Sequence, residues 1–508
     1  MKQRFLKFIK FPFYFALFSL YPVLALIAYN IGELRFRQGL RALAVSFLTA
    51  LILFLLFWLL FKSKQRAALE VTFLLLLFYG YGHVYNLILK RWDIPHLSTW
   101  MVGAWIVLAV AATGWLARRR TRVRKAAPVL NIVALGLLIT ATVQTILWSR
   151  SVSKPVADEQ QVPVQTLSIP EGQTPPDVYY IIMDSYGRED TLRAAYGYDN
   201  SAFVDSLEQM GFYVAPCSQS NYARTDFSLA SSLNMEYVPD LNPKFTPDFH
   251  DPHPIWRLLQ HSAVRTMLEN AGYKTVAFST GFAWSQLEDA DVYLEPSFLW
   301  EHPTEFEALL FQTTLVRLAQ NTGEDSQHFA AWDQFRQRTL FTLDELAQLG
   351  DMPGPKFVFA HIIAPHPPFV FGPDGEAINP AEYISPTGSY TGKDYKRGYL
   401  QALPFINREL ERVLPQIIEK SAVPPIIILQ GDHGAWALGY PQRIQNLNAY
   451  YLPGHTDALY PSISPVNTFR VVFNNYFGSD YPLLDDKSFS APKNEIYNFS
   501  PVLYQCKK

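Results

Sequence analysis

The feature that most constrains this chain of 508 residues is a series of long apolar runs within its first 150 residues. The runs are residues 11–29, 40–61, 67–89, 99–117 and 128–148. Each is close to the roughly 20 residues that an α-helix needs to cross the hydrocarbon core of a membrane. A signal peptide would give one short apolar segment, so the pattern predicts a permanent membrane domain of five transmembrane helices over residues 1–150. Buried core helices are the alternative, which five successive runs with charged connectors disfavour.

Basic residues between the runs predict how this domain is oriented. Lysine and arginine are enriched in the cytoplasmic loops of membrane proteins. Three basic clusters, before the first run, after the second and after the fourth, fall on one side of the membrane; they lie within residues 2–10, 62–66 and 118–125. Arg35, Arg37 and Arg41 on the other side weaken this bias without reversing it. We therefore expect a multi-pass protein of the bacterial cytoplasmic membrane, with everything after the fifth run on the outer face.

The remaining chain has the composition of a linker followed by a globular domain. Residues 151–176 contain five prolines among polar and acidic residues, which predicts an extended tether. The net charge of −2 gives no indication of nucleic-acid binding. Cys217 and Cys506 are the only cysteines, which excludes a zinc-finger or disulfide-rich scaffold. Pairing of the two and two free thiols are both compatible with the sequence.

Residues 177–508 alternate short β-branched and aromatic segments with amphipathic stretches, which predicts an exported α/β domain. The predicted strands are residues 178–183, 274–279, 356–363, 425–430 and 468–474. The predicted helices include residues 201–211, 261–271, 331–350 and 395–420. Near-continuous apolar strands between helices are typical of a mostly parallel sheet covered by helices on both faces. Ligands of such sheets bind beyond the carboxyl ends of the strands.

Metal-binding residue types follow two of these strands directly. Asp184 follows the first strand, and the sequence Gly-Asp-His-Gly, which contains Asp432 and His433, follows the fourth. Glycine on both sides allows the tight turn that aims a carboxylate and an imidazole at one ion. Because the carboxyl ends of parallel strands share one edge of the sheet, we predict that these three residues bind a single divalent metal.

Thr225 is the predicted nucleophile of this site. It lies where a loop enters a helix, after a probable strand at residues 211–215. A hydroxyl in the first helical turn meets the helix dipole, and metal coordination would help to deprotonate it, so Thr225 is also a predicted metal ligand. Ser228 is the second choice. An ordinary threonine N-cap is the alternative interpretation of this segment.

Proton transfer calls for a group that titrates near neutral pH, and three histidines are candidates. We favour His366, whose flanking prolines fix the direction of its loop, and His361 is the second candidate. His455 lies in a turn-like loop that we expect to close over the site. Together with Arg224, which precedes the nucleophile, these histidines form the predicted substrate-binding set.

The motifs resemble those of the membrane-anchored branch of the alkaline phosphatase and sulfatase superfamily, which includes lipoteichoic acid synthase and the phosphoethanolamine transferases. Asp184 resembles the strand-end acid of the family, Thr225 to Ser228 its Thr-x-x-Ser segment, and Asp432 with His433 its metal pair. The resemblance covers nearly the whole chain, because these proteins also have five spans before an exported domain. It implies an alkaline-phosphatase-like α/β fold, one Zn²⁺ or Mn²⁺ ion and a phospho-threonine intermediate.

Two departures from the family pattern affect the expected function. Lipoteichoic acid synthase and the phosphoethanolamine transferases have Glu where Asp184 stands. The sulfatase signature Cys-x-Pro-x-Arg is absent around Cys217, which argues against a formylglycine sulfatase. The leading expectation is a phosphotransferase that moves a phospho-alcohol group from a membrane lipid to an envelope glycan or lipid. A phosphate or sulfate ester hydrolase and an inactive lipid-sensing regulator of envelope assembly are the alternatives.

Overall fold

The protein divides into two compact units that are not contiguous along the chain. The computed structural model describes residues 11–30, 36–92, 94–118, 126–152, 165–169, 172–297, 304–320, 330–383, 390, 392–503 and 506. One unit is Met1–Lys154 with Phe298–Gln334, and the other is Pro155–Ser297 with Phe335–Lys508. The described residues do not include the first basic cluster, within residues 2–10, or residues 119–125 of the third. They also omit most of the predicted linker.

The first unit contains apolar helices that correspond to the five runs. They are α1 Tyr14–Tyr29, α2 Leu40–Phe61, α3 Lys64–Leu89, α4 Leu97–Arg118 and α5 Ala126–Val152. Among the described residues, α2 to α5 are long and apolar enough to cross a membrane. The prediction of five spans is wrong for the first run, because α1 has 16 residues. At ~1.5 Å per residue it is roughly 24 Å long, which is short of a hydrocarbon core of about 30 Å.

The described remainder of the chain alternates strands and helices, as the sequence predicts. The strands are β1 Val178–Met183, β2 Tyr213–Val214, β3 Lys274–Phe278, β4 Val292–Leu294, β5 Lys356–Ile362, β6 Ile426–Gly431, β7 Asn448–Tyr451, β8 Ser488–Ser490 and β9 Ser500–Val502. The longer helices are α6 Ser201–Gln209, α7 Thr225–Asn234, α8 His253–Gln260, α9 Ala263–Asn270, α10 Glu305–Thr313, α11 Ala330–Leu346, α12 Gly392–Lys420 and α13 Pro465–Tyr476. Shorter helices lie at Glu189–Thr191, Val238–Leu241 and Arg317–Gln320.

One predicted strand is wrong. Residues 468–474 lie within α13. Proline at the first position of this helix, Pro465, has its φ angle already set for a helix. Val466, Phe469 and Phe473 recur at spacings of three and four residues and are all buried. A short apolar run fits a helix or a strand equally well, and here the helical spacing over the longer segment decides.

The order of the main sheet brings three important strand ends together. Its seven strands are ordered β2-β7-β6-β1-β5-β3-β4. Strands β6, β1, β5, β3 and β4 are parallel, whereas β7 is antiparallel to β6 and β2. The register aligns Met183, the last residue of β1, with Ile362 of β5 and Gly431 of β6. The residues that follow these three strands therefore leave the sheet side by side.

The central strands lie in the core of the second unit. Every residue of β1, β5 and β6 is buried. Because alternate side chains of a strand point to opposite faces, both faces of the sheet are covered. On one face, Tyr180 and Ile182 share a hydrophobic core with Phe227 of α7 and Phe469 of α13.

Residues near both ends of the second unit make contacts with the rest of that unit. Leu167, within the predicted linker, is buried in the same core, and the Ser168 amide donates to the Phe477 carbonyl at 3.0 Å. Cys217 and Cys506 form a disulfide, with their Cα atoms 5.3 Å apart. The structure thereby decides the pairing that the sequence leaves open.

Candidate metal centre

Three of the four predicted metal ligands, all except Thr225, form one cluster at the carboxyl edge of the sheet. Asp184, Asp432 and His433 are buried, and each offers a ligand atom within 4.8 Å of the others. The cluster follows from the register, since β1 and β6 are adjacent and end at the same level. Two carboxylates and an imidazole form a donor set that suits Zn²⁺ or Mn²⁺.

The glycines beside the metal pair are required by close backbone packing. A Cβ atom at Gly431 would lie 2.3 Å from the carbonyl oxygen of Tyr186. A Cβ atom at Gly434 would lie 2.5 Å from the carbonyl oxygen of Gln445. Both distances are far below van der Waals contact with main-chain atoms that cannot move aside, so only glycine fits at either position.

Ser185 connects the two carboxylates. Its amide donates to Oδ1 of Asp432 at 2.8 Å, and its hydroxyl donates to Oδ1 of Asp184 at 3.1 Å. Ser185 has a φ angle of 65°, in the left-handed region that non-glycine residues adopt at a cost. This conformation places the amide where it can orient Asp432, so the turn after β1 holds both acids in position.

An unpaired oxygen supports the assignment of a metal to this cluster. Within the part of the chain that the structure describes, Oδ2 of Asp432 is buried and receives no hydrogen bond. Nε2 of His433 lies 3.4 Å from this oxygen. A buried carboxylate oxygen without a donor costs free energy, and a bound cation would remove this cost. The residues present therefore fit a divalent ion.

The two carboxyl groups differ in their pKa. Burial raises the pKa of Asp184, but positive charge on His366, together with a hydrogen bond and charge from His361, outweighs burial and holds it below its usual value. Burial and the negative charge of Asp184 raise the pKa of Asp432 above its usual value. Without an ion, the site therefore contains one carboxyl group that resists ionisation, and a divalent cation would relieve the repulsion between the two.

The two predicted candidates for the nucleophile, Thr225 and Ser228, differ in how exposed they are. Thr225 is the first residue of α7 and is half-buried, with Oγ1 3.5 Å from Nε2 of His433. Ser228 is fully buried, and its hydroxyl donates to the carbonyl oxygen of Asp432 at 2.6 Å. Of the two hydroxyls, that of Thr225 is therefore the one that a substrate can reach beside the cluster.

Two of the predicted histidines also lie at this edge. Nε2 of His361 is 3.3 Å from Oδ2 of Asp184, and its ring packs beside Trp284. The amide of His366 donates to the carbonyl of Asp184 at 3.1 Å. Nδ1 of His366 lies 2.6 Å from the carbonyl of Pro367 and therefore carries the proton, because a carbonyl only accepts. Nε2 of His366 is thus the nitrogen that can exchange a proton with a substrate.

His455 is not brought to the site. It follows β7, which runs antiparallel to β6, so it lies at the opposite edge of the sheet from Asp432. Its ring packs against Tyr476, with centroids 4.6 Å apart. The sequence predicts that the loop containing His455 closes over the site. The structure does not place it there, because β7 runs away from the edge of the sheet where Asp432 lies.

Sequence reasoning missed the residues that fix Arg224. Arg224 precedes Thr225 and pairs with Asp226 at 2.7 Å, while its guanidinium lies over the ring of Phe227. Asp226 in turn accepts a hydrogen bond of 3.0 Å from the indole nitrogen of Trp256. An acid in the first turn of a helix is a recognisable signal. The sequence gives no such signal for Trp256, because its hydrogen bond is to a residue 30 positions away.

Comparison with known proteins finds similarity in structure but not in sequence. No family model and no curated protein matches this chain. Similar solved structures include the integral membrane protein lipooligosaccharide phosphoethanolamine transferase A (EptA) from Neisseria meningitidis, 12% identical, covering 91% of this chain and 95% of that one, with a TM-score of 0.39. The periplasmic domain of EptC from Escherichia coli, in complex with Zn, is 12% identical and covers 66% of this chain and 97% of its own, with a TM-score of 0.41.

A phosphonate monoester hydrolase of Agrobacterium radiobacter is a third similar structure. It is 16% identical and covers 62% of this chain and 80% of its own, with a TM-score of 0.39. Phosphoethanolamine transferases, the kind of protein that the sequence motifs resemble, are thus among the structures similar to this chain.

Proposed function

We propose that this protein is a metal-dependent phosphotransferase that forms a covalent phosphate ester on Thr225. The observation that carries the proposal is the position of the Thr225 hydroxyl, 3.5 Å from His433 at the rim of a buried cluster of two acids and a histidine. Thr225 is not the N-cap of α7, because Arg224 holds that position and Thr225 is the first residue of the helix. The presence of all four residues together also argues against an inactive regulator.

Asp184, Asp432 and His433 would hold the divalent ion. When bound, such an ion would supply Lewis acidity that makes a nearby hydroxyl more acidic and offsets the negative charge of a phosphodiester. Oγ1 of Thr225 gives up its proton to solvent and forms a bond to phosphorus, while the bond between phosphorus and the oxygen of the lipid alcohol breaks. The products of this first step are Thr225 esterified with the phospho-alcohol group and the free lipid alcohol.

His366 is the residue proposed to move protons. Its protonated Nε2 gives a proton to the departing alcohol, and the neutral ring then takes one from the hydroxyl of the acceptor. The acceptor oxygen bonds to phosphorus while the bond between phosphorus and Oγ1 of Thr225 breaks, and Oγ1 regains a proton from solvent. His361 and Arg224 are proposed to bind nonbridging phosphate oxygens, with Arg224 oriented by its ion pair to Asp226.

A membrane lipid is the proposed donor, and an envelope glycan or lipid is the proposed acceptor. Helices long enough to cross a membrane support this choice, because they keep the protein among phospholipids. The basic clusters at residues 62–66 and 118–125 follow the first and third of the four long helices, so placing both clusters in the cytoplasm puts the α/β unit on the outer face of the cytoplasmic membrane. There it would meet lipid headgroups and envelope glycans.

The test uses the full-length protein in nanodiscs of one defined phospholipid, with Zn²⁺ or Mn²⁺ added. Intact mass spectrometry should detect an adduct on wild-type protein and none on Thr225→Ala, whereas Thr456→Ala, in an exposed loop, should behave as wild type. The mass of the adduct identifies the transferred group. Absence of any adduct, with metal binding confirmed, would contradict the proposal. Release of free alcohol without transfer to an added glycan would favour the hydrolase.

A further inference from the structure

The membrane unit contains an apolar groove that the proposed reaction does not use. Its volume is about 620 Å³, within the usual range of about 300–1,000 Å³ for small-ligand pockets. Its lining includes Val45, Thr49 and Leu53 of α2, Leu74 of α3, and Phe311 of α10. Helix α10 lies in the segment Phe298–Gln334, which belongs to the first unit although it is far from residues 1–154 along the chain.

Close backbone contact fixes one wall of the groove. A Cβ atom at Gly82 of α3 would lie 2.2 Å from the carbonyl oxygen of Gln312, so only glycine lets the end of α10 approach this helix. The amide of Leu315 also donates to the carbonyl of Phe78 at 3.0 Å. The groove is therefore bounded by a segment that is held in register against α3.

One end of the groove carries an ion pair. Nε of Arg41, in the first turn of α2, donates to Oε1 of Glu307 at 2.7 Å. Glu307 also caps α10, since its carboxylate accepts from the amide of Thr304 at 2.9 Å. Positive and negative groups thus lie side by side at the end of a membrane-length helix, where a bilayer becomes polar.

The wall below this ion pair presents hydrocarbon. Three of its four hydroxyl side chains donate within the protein: Tyr79 to Ser46 at 2.6 Å, Ser46 to the carbonyl of Ser19 at 2.6 Å, and Thr314 to the carbonyl of Phe311 at 3.2 Å. These hydroxyls are satisfied within the protein and do not need a polar ligand. The groove therefore has a charged end and an apolar body.

We propose that this groove binds one acyl chain of a glycerophospholipid, with the headgroup at the Arg41–Glu307 pair. Helices α2 and α3 are long and apolar enough to cross a membrane, so a groove on them would face lipid chains. The order of polar end and apolar body matches the order of a lipid. A cation beside an anion complements the phosphate and ammonium of a zwitterionic head better than a purely anionic head.

The test is photo-crosslinking of the full-length protein in nanodiscs with phospholipids that carry a diazirine in the acyl chain. We expect the label on peptides from α2, α3 and α10, with stronger labelling by a phosphatidylethanolamine probe than by a phosphatidylglycerol probe. Thr49→Trp, or Val45→Trp as a second variant, fills the groove and should remove this label. Leu48→Trp is the matched control, because Leu48 is exposed on the same helix but does not line the groove.

Equal labelling of Thr49→Trp and Leu48→Trp, or labelling spread over all membrane helices, would overturn the chain assignment. Glu307→Gln should abolish the preference between the two probes, and an unchanged preference would overturn the role of the ion pair. The labelling needs no turnover, so Thr225→Ala should label as wild type. Failure of the proposed phosphotransfer is thereby distinguishable from failure of this site.

Discussion

The hydroxyl of Ser228 donates a 2.6 Å hydrogen bond to the main-chain carbonyl of Asp432. Ser228 lies almost one turn after Thr225 on α7, and Asp432 follows β6 directly. The bond therefore joins the helix that carries the proposed nucleophile to the strand end that carries two proposed metal ligands. Phosphoryl transfer depends on such fixed positioning of the reacting groups.

Ser228→Ala should lower both stability and phosphotransfer. Removing the hydroxyl leaves a buried carbonyl without this donor, at a cost of about 1–3 kcal/mol, and loosens α7 relative to the metal pair. Ser231→Ala is the matched control, because Ser231 is also buried on α7. Its hydroxyl donates to the carbonyl of Glu236 at 2.7 Å, away from the cluster. Both variants should melt at lower temperature, and Ser228→Ala alone should form the Thr225 adduct more slowly. Equal loss of adduct formation in both would contradict the positioning role.

Asp432→Asn should abolish stabilisation of the protein by metal. The substitution removes one of two buried carboxylates that would share the ion, whereas the remaining neutral amide binds a divalent cation weakly. Thermal melting with and without Zn²⁺ or Mn²⁺ checks this. Asp485→Asn is the control, because that side chain is 81% exposed and should leave the metal-induced shift unchanged. A full metal-induced shift in Asp432→Asn would contradict the ligand assignment.

The pH dependence of the metal-free protein should report the raised pKa of Asp432. Burial and the charge of Asp184 raise this pKa, so the folded state binds the proton more tightly than the unfolded state does. The bound proton adds to the free energy of unfolding of the wild type at low pH. This contribution is lost as the pH rises from the pKa of Asp432 in the unfolded chain, about 3.9, through its pKa in the folded protein. Melting curves should therefore show Asp432→Asn gaining stability relative to wild type across this interval. A constant difference between the two proteins would contradict the shift.

The proximity of Asp184, Asp432 and His433 could be predicted from the sequence because the evidence for it is local. Strands β1, β5 and β6 are mostly apolar, and the polar residues of the site lie at the ends of these strands or directly after them. Parallel pairing then requires these ends to meet, whatever the loops between them do. The prediction for His455 depended only on a turn-like loop, because the strand before it, β7, is not among the predicted strands, and its antiparallel direction places His455 at the other edge of the sheet.

Long-range packing could not be predicted in this way. The segment that contains α10 has the composition of an ordinary helix, and its partner Arg41 lies 266 positions away from Glu307. Its position depends on contacts between distant residues, among them the close approach of its backbone to Gly82. The disulfide between Cys217 and Cys506 likewise depends on the fold, since residues 289 positions apart give no local sign of proximity.

Reduction of this disulfide should destabilise the α/β unit. A cross-link over so long a loop limits the unfolded chain, and its removal typically costs about 2–5 kcal/mol. The melting temperature of wild type should fall on adding a reductant, to the value of the double variant Cys217→Ser, Cys506→Ser. That double variant is its own control, because a reductant should not change it. Identical melting of oxidised wild type and the double variant would contradict a structural role.

His366→Gln should slow transfer only when the departing alcohol needs a proton. The main-chain bond from His366 to Asp184 does not involve its ring, so metal binding should survive the substitution. Loss of a general acid typically costs about 10²–10⁴-fold for an alkoxide leaving group, whereas a nitrophenolate leaves without protonation. Adduct formation on Thr225 from a lipid and from a nitrophenyl phosphodiester should therefore diverge in the variant. His455→Gln, at the opposite edge of the sheet, should leave both rates unchanged, and equal slowing of both substrates by His366→Gln would contradict its role as proton donor.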